Sequence, residues 1–236
     1  MFKLTDNIPQ CVSRLDNLTA RQLPFATSRA LNDTAEDIRK AEVREMRAVF
    51  DRPTPYTLGA FQIRPATKDN LSAVVERKSK QGRQHYLEVE EQGGPRPQTA
   101  LEQLLDRRVA YAGILQAITP ARGARLDQYG NWSSGQRNQV LSGLGAQRDQ
   151  RSNTTAASRK RNPSRSKYFV PKGDGLPPGV YERNSRGVMF KILNFTAKVP
   201  LYTARFDFDP VARREAGQRF PVHFTRRMAE AMATAR

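Results

Sequence analysis

The feature that most limits the fold of this chain is a long amphipathic helical pattern near its beginning, bounded by prolines. Apolar residues of the stretch Ala30–Phe50 recur on one helical stripe, and its charged residues lie largely on the other side. Pro24 suits the first turn, because the N–H that proline lacks would have no helical partner there. Pro53 and Pro55 cannot continue a helix. The pattern therefore predicts one long helix between these prolines.

Short segments that favour β-structure follow this helix. Alternation of apolar residues predicts a β-hairpin of Tyr56–Ile63 with Leu71–Lys78, one side of which faces a core. The segment Tyr86–Glu90 alternates in the same way and predicts a third strand. A Gly-Gly-Pro turn then interrupts the chain, and Thr99 is placed to cap a short helix.

The last third of the chain is predicted to contain strands followed by a helix. Two apolar segments, 179–183 and 188–193, are joined by an Asn-Ser-Arg-Gly sequence, which predicts a second hairpin. Asp209-Pro210 combines a capping residue with a first-turn proline, so we expect a terminal amphipathic helix to start there. We expect a kink or a restart of that helix at Pro221.

The middle of the chain, 113–167, has a different composition. It is rich in Gly, Ser, Gln and Arg and contains few large apolar residues, apart from one predicted short helix at Ser134–Leu144. Its end, Arg148–Lys167, is strongly basic, with Asp149 as the one acidic residue, and is expected to form a solvated or partner-ordered loop. The candidate partner-facing or DNA-facing residues are the basic ones: Arg148, Arg151, Arg159, Lys160, Arg161, Arg165 and Lys167.

These patterns predict an α+β fold. We expect a small, mostly antiparallel sheet covered by long N-terminal and C-terminal helices, with an extended basic insertion in mid-chain. The predicted divisions are an N-terminal arm at 1–22, a core domain formed by 23–112 with 168–236, and a flexible basic insertion at 113–167.

The charge of the chain limits its partners. Forty Lys and Arg against twenty-three Asp and Glu give +17, and only 38% of the residues are apolar. A field of this size calls for acidic partners, and DNA, RNA, an anionic membrane surface and an acidic protein ring all qualify. No segment approaches the ~20 apolar residues of a membrane span, and the first residues lack the apolar run of a signal peptide. We therefore expect synthesis in the cytosol and no membrane.

Residues for catalysis are sparse. His85 and His223 stand far apart in the sequence, without a second histidine at metal-ligand spacing, and both are interpreted as ordinary surface or boundary residues. Cys11, the single cysteine, excludes an intrachain disulfide and a cysteine-based metal site.

Carboxylates offer one alternative. Glu88 and Glu90 would share a face of the predicted third strand, with Glu91 behind them, which is compatible with a divalent cation in a nuclease-like site. A solvated outer face opposite Leu87 and Val89 explains them more simply. We predict that the protein is not an enzyme and holds no cofactor or metal.

The basic run is compatible with two roles. Lys and Arg that neutralise phosphates give sequence-independent binding to nucleic acid. However, the run lacks interleaved aromatic residues for base stacking, and no recognised DNA-binding motif accompanies it. Contact with DNA and contact with protein therefore both stay open, and the nucleic-acid-binding protein is the alternative to a structural role.

Both ends of the sequence resemble a known family. Val199–Phe208 and the basic helix around Pro221 resemble the end of the minor tail protein Z family of tailed phages, the tail completion proteins. Phe25–Ala35 resembles the opening helix of that family. The segment Arg125–Asn131 looks like one found in uncharacterised prophage proteins of similar layout.

The resemblance implies a structural protein of the virion at the head-tail junction. It implies a homo-oligomeric ring, for which a hexamer is one option, that is assembled in the host cytoplasm and joins the tail to the head connector. The implied partners are tail tube or terminator proteins and head-connector proteins, with non-specific contact to packaged DNA. A ring subunit needs exposed faces rather than an active site.

Overall fold

The computed structural model describes residues 18–78, 85–107, 115–163, 167–171 and 175–234, together with Ile8 and Val12. Cys11 lies outside these described residues. The chain forms two compact units: unit 1 is Met1–Glu91 with Ala204–Arg236, and unit 2 is Gln92–Thr203. The predicted α+β class is confirmed, with long helices near both ends and small antiparallel sheets. None of the described helices has the length and apolar character needed to cross a bilayer.

The described residues form seven α-helices and eight strands. In chain order they are α1 (Leu23–Val49), α2 (Pro55–Leu58), β1 (Phe61–Arg64), β2 (Val74–Arg77), α3 (Glu88–Gln92), β3 (Gly94–Pro95), α4 (Ala100–Asp106), β4 (Ala117–Pro120), α5 (Ser134–Gly143), α6 (Ala156–Arg161), β5 (Tyr168–Phe169), β6 (Gly179–Arg183), β7 (Met189–Thr196), β8 (Leu201–Tyr202) and α7 (Phe208–Thr234).

Unit 1 is built on the two long helices α1 and α7, which pack along each other. Three pairs of side chains join them at successive levels: Asp33 with Arg227 (2.7 Å), Asp37 with His223 (2.7 Å) and Arg44 with Glu215 (3.6 Å). As the residue number rises along α1, the number of its partner falls along α7. The two helices are therefore antiparallel, and these pairs fix their register.

Helix α7 continues through Pro221 without a break, so the predicted restart is absent. Proline removes one backbone hydrogen bond from a helix interior. Here Glu215 and His223, on the two sides of Pro221, are both paired with side chains of α1. We infer that packing against α1 keeps both halves of α7 helical, which is a tertiary effect that sequence patterns do not contain.

A hairpin and an aromatic cluster complete unit 1. Strands β1 and β2 pair antiparallel, from Phe61 opposite Arg77 to Arg64 opposite Val74, which confirms the first predicted hairpin. The beginning of its predicted first strand is instead the helical turn α2, capped by the Thr54 hydroxyl. The core cluster of buried residues that closes the unit consists of Met46, Ala60, Phe61, Leu87 and Phe206.

The predicted third strand is wrong, because Glu88–Gln92 forms the short helix α3. The backbone N–H of Glu91 donates to the carbonyl of Leu87 (3.1 Å), as in a helical turn. Leu87 and Val89 are both buried, although they lie two positions apart in a helical turn. An alternation over five residues does not distinguish a strand from one turn of helix. The tertiary packing around Leu87 determined that this segment is helical.

Unit 2 contains a four-stranded antiparallel sheet in the order β4-β7-β6-β5. The predicted second hairpin is confirmed, since β6 pairs with β7 across the turn at 184–187. The core cluster of this unit combines residues of the sheet with residues of α4 and α5: Leu105, Leu115, Val140, Leu141, Ala146, Tyr168, Val180, Ile192 and Leu193.

The boundaries of unit 2 differ from the predicted divisions. Residues 113–167 were expected to form an arm, and 168–202 were expected to join the terminal helices. Instead β4 and α5, which lie inside the expected arm, share a core with the later strands. Leu115, Val140 and Leu141 carry this packing. The few large apolar residues of 113–167 are sufficient to form a core because they pack against one sheet.

An ion pair with a buried carboxylate connects the β3–α4 loop, α4 and β4 of unit 2. Glu102, which is only 2% exposed, accepts hydrogen bonds from Arg96 (2.7 Å) and from the backbone N–H groups of Thr99 (2.6 Å) and Ile118 (2.9 Å). Thr99 caps α4 in return, as predicted. Burial by itself would raise the pKa of Glu102, but the hydrogen bonds outweigh it and hold that pKa below its ordinary value.

We expect Glu102→Gln to destabilise unit 2 by about 1–3 kcal/mol at pH 7, because it removes the charge that pairs with the half-buried guanidinium of Arg96. Urea unfolding followed by fluorescence of Trp132, the single tryptophan, measures this. The folded pKa of Glu102 is lowered, so its contribution is present above about pH 4.5 and lost as the pH falls further. The difference between wild type and variant should therefore shrink below pH 4.5. A constant difference would contradict the ionic role.

One glycine of the sheet is required by a close backbone approach. A Cβ atom on Gly179 would lie 2.1 Å from the carbonyl oxygen of Leu193 and 2.6 Å from the Lys191 side chain. The β6–β7 register shifts immediately after this position, between Val180 and Tyr181. Glycine lets the two strands meet at the irregularity.

Gly179→Ala should destabilise unit 2 by about 3 kcal/mol, near the top of the range for overpacked sites, since the obstacle is backbone. Gly135→Ala in α5 is the matched control, because nothing lies within 4 Å of its added Cβ. The same fluorescence-detected unfolding compares the two. Equal midpoints for both variants would show that the strands can separate at Gly179 without cost.

Candidate polyanion-binding groove

The positive charge of the chain is concentrated in unit 2. Unit 2 contains 18 Lys and Arg against 6 Asp and Glu, a net charge of +12, whereas unit 1 contains 22 against 17. Between described residues of unit 2, two ion pairs form, Arg96–Glu102 and Lys167–Glu182. Unit 1 therefore neutralises most of its own charge and unit 2 does not.

Five of the candidate basic residues lie on the surface of unit 2: Arg148, Arg151, Arg159, Lys160 and Arg161. None of the five forms an ion pair with a residue that the structure describes. Lys167 differs, because it is half-buried and bonded to Glu182 (2.7 Å). Arg165 lies outside the described residues.

The basic segment is folded rather than a loop, which corrects the expectation for most of its length. A 3₁₀ turn, Gln150–Ser152, is capped by Asp149, and α6 is capped by Thr155. Each cap oxygen accepts a backbone N–H at the start of its helix. The polar composition of the segment hides these short helices, because it contains no apolar periodicity that would indicate a helix.

Hydrogen bonds anchor the basic segment to α5. The Ser142 hydroxyl donates to the carbonyl of Ser152 (2.8 Å) and lies 3.1 Å from the Thr154 hydroxyl. The Arg159 guanidinium donates to the carbonyl of Gly143 (3.2 Å). These contacts hold the basic segment, and the Arg159 side chain, beside α5.

A polar groove of about 600 Å³ lies between α5 and the basic segment. It is lined by hydroxyl, amide and ammonium groups, from Asn138, Gln139, Ser142, Gln147, Ser152, Thr154, Asn162, Lys167 and Tyr168. The sequence contained no motif for these residues. Their only trace was the Ser- and Gln-rich composition of the middle of the chain.

Three of the exposed basic residues are sequence neighbours of residues that line this groove. Arg148 follows the lining residue Gln147, Arg151 precedes Ser152, and Arg161 precedes Asn162. A polar floor beside a basic segment is suited to phosphate groups, because hydroxyl and amide donors add hydrogen bonds to the attraction between charges.

Lys167 and Tyr168 fix one wall of the groove. Burial by itself would lower the pKa of Lys167, but the bond to Glu182 and the contact with Tyr168 outweigh it and raise that pKa. Lys167 is thus a paired cation. The Tyr168 ring is buried in the core, so it is not available to stack on a base. Binding here would read phosphates rather than base sequence.

The other candidate residues do not form a catalytic arrangement. Glu90 binds Arg205 (2.7 Å) and Glu91 binds Arg77 (2.8 Å). His223 serves the pairing of α1 with α7, and His85 accepts the backbone N–H of Leu87. Within the described part of the chain, no group of three or more His, Cys, Asp or Glu side chains is placed to hold a metal ion.

No protein-family model, curated protein or solved structure matches this chain.

Proposed function

We propose that the protein is a structural component of a tailed phage that acts at the head-tail junction, where copies of it form a ring that joins the tail to the head connector. The proposal starts from the resemblance of both chain ends to the tail completion proteins. The observation that carries it further is the separation of charge, with a largely self-neutralised unit 1 and a net charge of +12 on unit 2.

Such a separation is expected in a subunit that is completed by assembly. A net charge of this size repels other copies unless acidic surfaces or polyanions neutralise it. At a head-tail junction both are at hand, since neighbouring subunits surround a conduit for DNA. The anchoring of the basic segment to α5 supports a defined partner rather than a solvated tail.

Inactivation of the gene should leave filled heads and finished tails that do not join, with infectivity reduced by several orders of magnitude. Electron microscopy of lysates and plaque counts measure this, and a plasmid-borne wild-type copy is the control. Mass spectrometry of purified particles should detect the protein. Infectious particles formed without it, or particles that lack it, would overturn the proposal.

A second candidate function is supported by the groove itself. Five exposed cations belong to the basic segment that forms one side of the polar groove, and a nucleic-acid-binding protein needs such cations for phosphate contacts. On this alternative the protein binds DNA or RNA without sequence preference and has no obligatory role in joining particles.

The triple variant Arg159→Gln, Lys160→Gln, Arg161→Gln tests this alternative. If α6 contacts phosphates, the salt dependence of duplex DNA binding should fall by about 2 to 3 in the slope of log K against log salt. The matched control removes three exposed charges of unit 1, by Arg21→Gln, Arg29→Gln and Arg47→Gln. Fluorescence anisotropy measures both, and equal losses in the two variants would mean that only net charge matters.

A further inference from the structure

Unit 1 contains a cavity whose charge is opposite to that of the chain. It measures about 500 Å³ and has aromatic walls from Phe61, Phe206 and Phe208. Four carboxylates and one guanidinium also line it: Glu76, Glu91, Asp207, Asp209 and Arg77. In a chain of +17 this is a local excess of negative charge.

Two of these carboxylates are already engaged and two are available. Glu76 is bonded to Gln62 and Arg64, and Glu91 is bonded to Arg77. Asp207 forms no ion pair with a described residue. Asp209 lies 3.7 Å from Arg213, in an exposed pair one helical turn long that contributes little.

A fully buried carboxyl group, Glu42, interacts electrostatically with the cavity residues Glu91 and Asp209. Glu42 of α1 is 0% exposed, and neither of its oxygens has a hydrogen-bond partner among the described residues. Burial, followed by the charges of Glu45, Glu91 and Asp209, raises the pKa of Glu42 to about 8, against the opposing charge of Arg214. An unpaired buried carboxyl group is what remains when a cationic partner is missing.

The walls of the cavity suit a guanidinium or ammonium group. Phe61 and Phe208 are stacked with ring centroids 4.9 Å apart. Aromatic faces attract cations, and carboxylates at the border add charge-assisted hydrogen bonds. The same unit already uses this combination elsewhere, since the Arg205 guanidinium lies over the Phe50 ring and is bonded to Glu90.

We propose that this cavity receives a basic side chain of α6 from a second copy of the chain. The inference rests on the proposed function, whose ring requires that copies contact each other. Charge complementarity supports the choice of partner: Arg159, Lys160 and Arg161 are exposed on the surface of unit 2 and form no ion pair with a described residue, and the cavity has four carboxylates against the single guanidinium of Arg77. A contact between two different surfaces of the same chain is head-to-tail, and such contacts generate rings when they close.

Charge-swapped variants test the contact. Asp207→Lys with Asp209→Lys reverses the cavity, and Arg159→Glu with Lys160→Glu and Arg161→Glu reverses α6. Sedimentation velocity at low salt should show oligomers of wild type and an association at least about tenfold weaker for each variant alone. Equimolar mixing of the two variants should restore oligomers, because each reversed surface then meets a complementary one.

The control variant Asp51→Lys with Asp69→Lys changes exposed carboxylates outside the cavity and should assemble like wild type. Circular dichroism verifies that the long helices of unit 1 persist in every variant. Monomeric wild type, or unchanged assembly of the cavity variant, would overturn the inference. If, in that case, the α6 variant assembles like wild type but binds DNA less well, α6 binds a polyanion instead. Normal joining of heads and tails by the cavity variant would leave the proposed function intact.

The pH dependence of association provides a second test, because the proposed contact would release a proton from Glu42. A cation in the cavity favours the ionised form of Glu42, whose neutral form prevails below its pKa of about 8. Wild-type association should therefore strengthen by up to about tenfold per pH unit toward pH 8 and level off above it. Glu42→Gln, which cannot ionise, should flatten this dependence. An unchanged pH profile in that variant would exclude Glu42 from the contact.

Discussion

The antiparallel pairing of the first and last helices is the constraint on which the structure of unit 1 depends. Asp33, Asp37 and Arg44 of α1 meet residues of α7 that lie about 170 to 190 positions later in the sequence. This pairing closes the chain on itself, so that unit 2 is an insertion within unit 1. A long α7 that continues through Pro221 is a consequence, since α1 supports it on both sides of the proline.

The same pairing also determines how charge is used. In unit 1 acidic and basic side chains face each other between helices and along them, so most of its charge is balanced internally. Unit 2 is held together differently, by an apolar core against its sheet and by the buried Arg96–Glu102 pair. Its exposed basic residues Arg148, Arg151, Arg159, Lys160 and Arg161 form no ion pair with a described residue.

The groove and the acidic cavity are complementary in chemistry. The groove has hydroxyl and amide groups beside the basic segment, and the cavity has aromatic walls with carboxylates. A chain that carries both surfaces has the means for self-association as well as for contact with a polyanion. Whether α6 binds a second copy of the chain or a polyanion distinguishes the proposed ring subunit from the alternative, a nucleic-acid-binding protein.

Elements with a strong local signal could be predicted from the sequence alone. Prolines bound α1, Thr99 caps α4, and a tight turn joins β6 to β7, because each depends on residues within a few positions. The basic residues of the candidate site were also visible as charge. The helix α3, the short helices of the basic segment and the groove between α5 and α6 were not.

The sequence by itself determined the α+β class, the long terminal helices and the position of the basic residues in the middle of the chain. Only the tertiary structure decided the division into units, because a few apolar residues such as Leu115 and Val140 join the strands across long sequence separations. It also decided which carboxylates are neutralised and that Glu42 is buried without a partner. Burial and pairing depend on neighbours that the chain brings together only when it folds, and local patterns do not encode them.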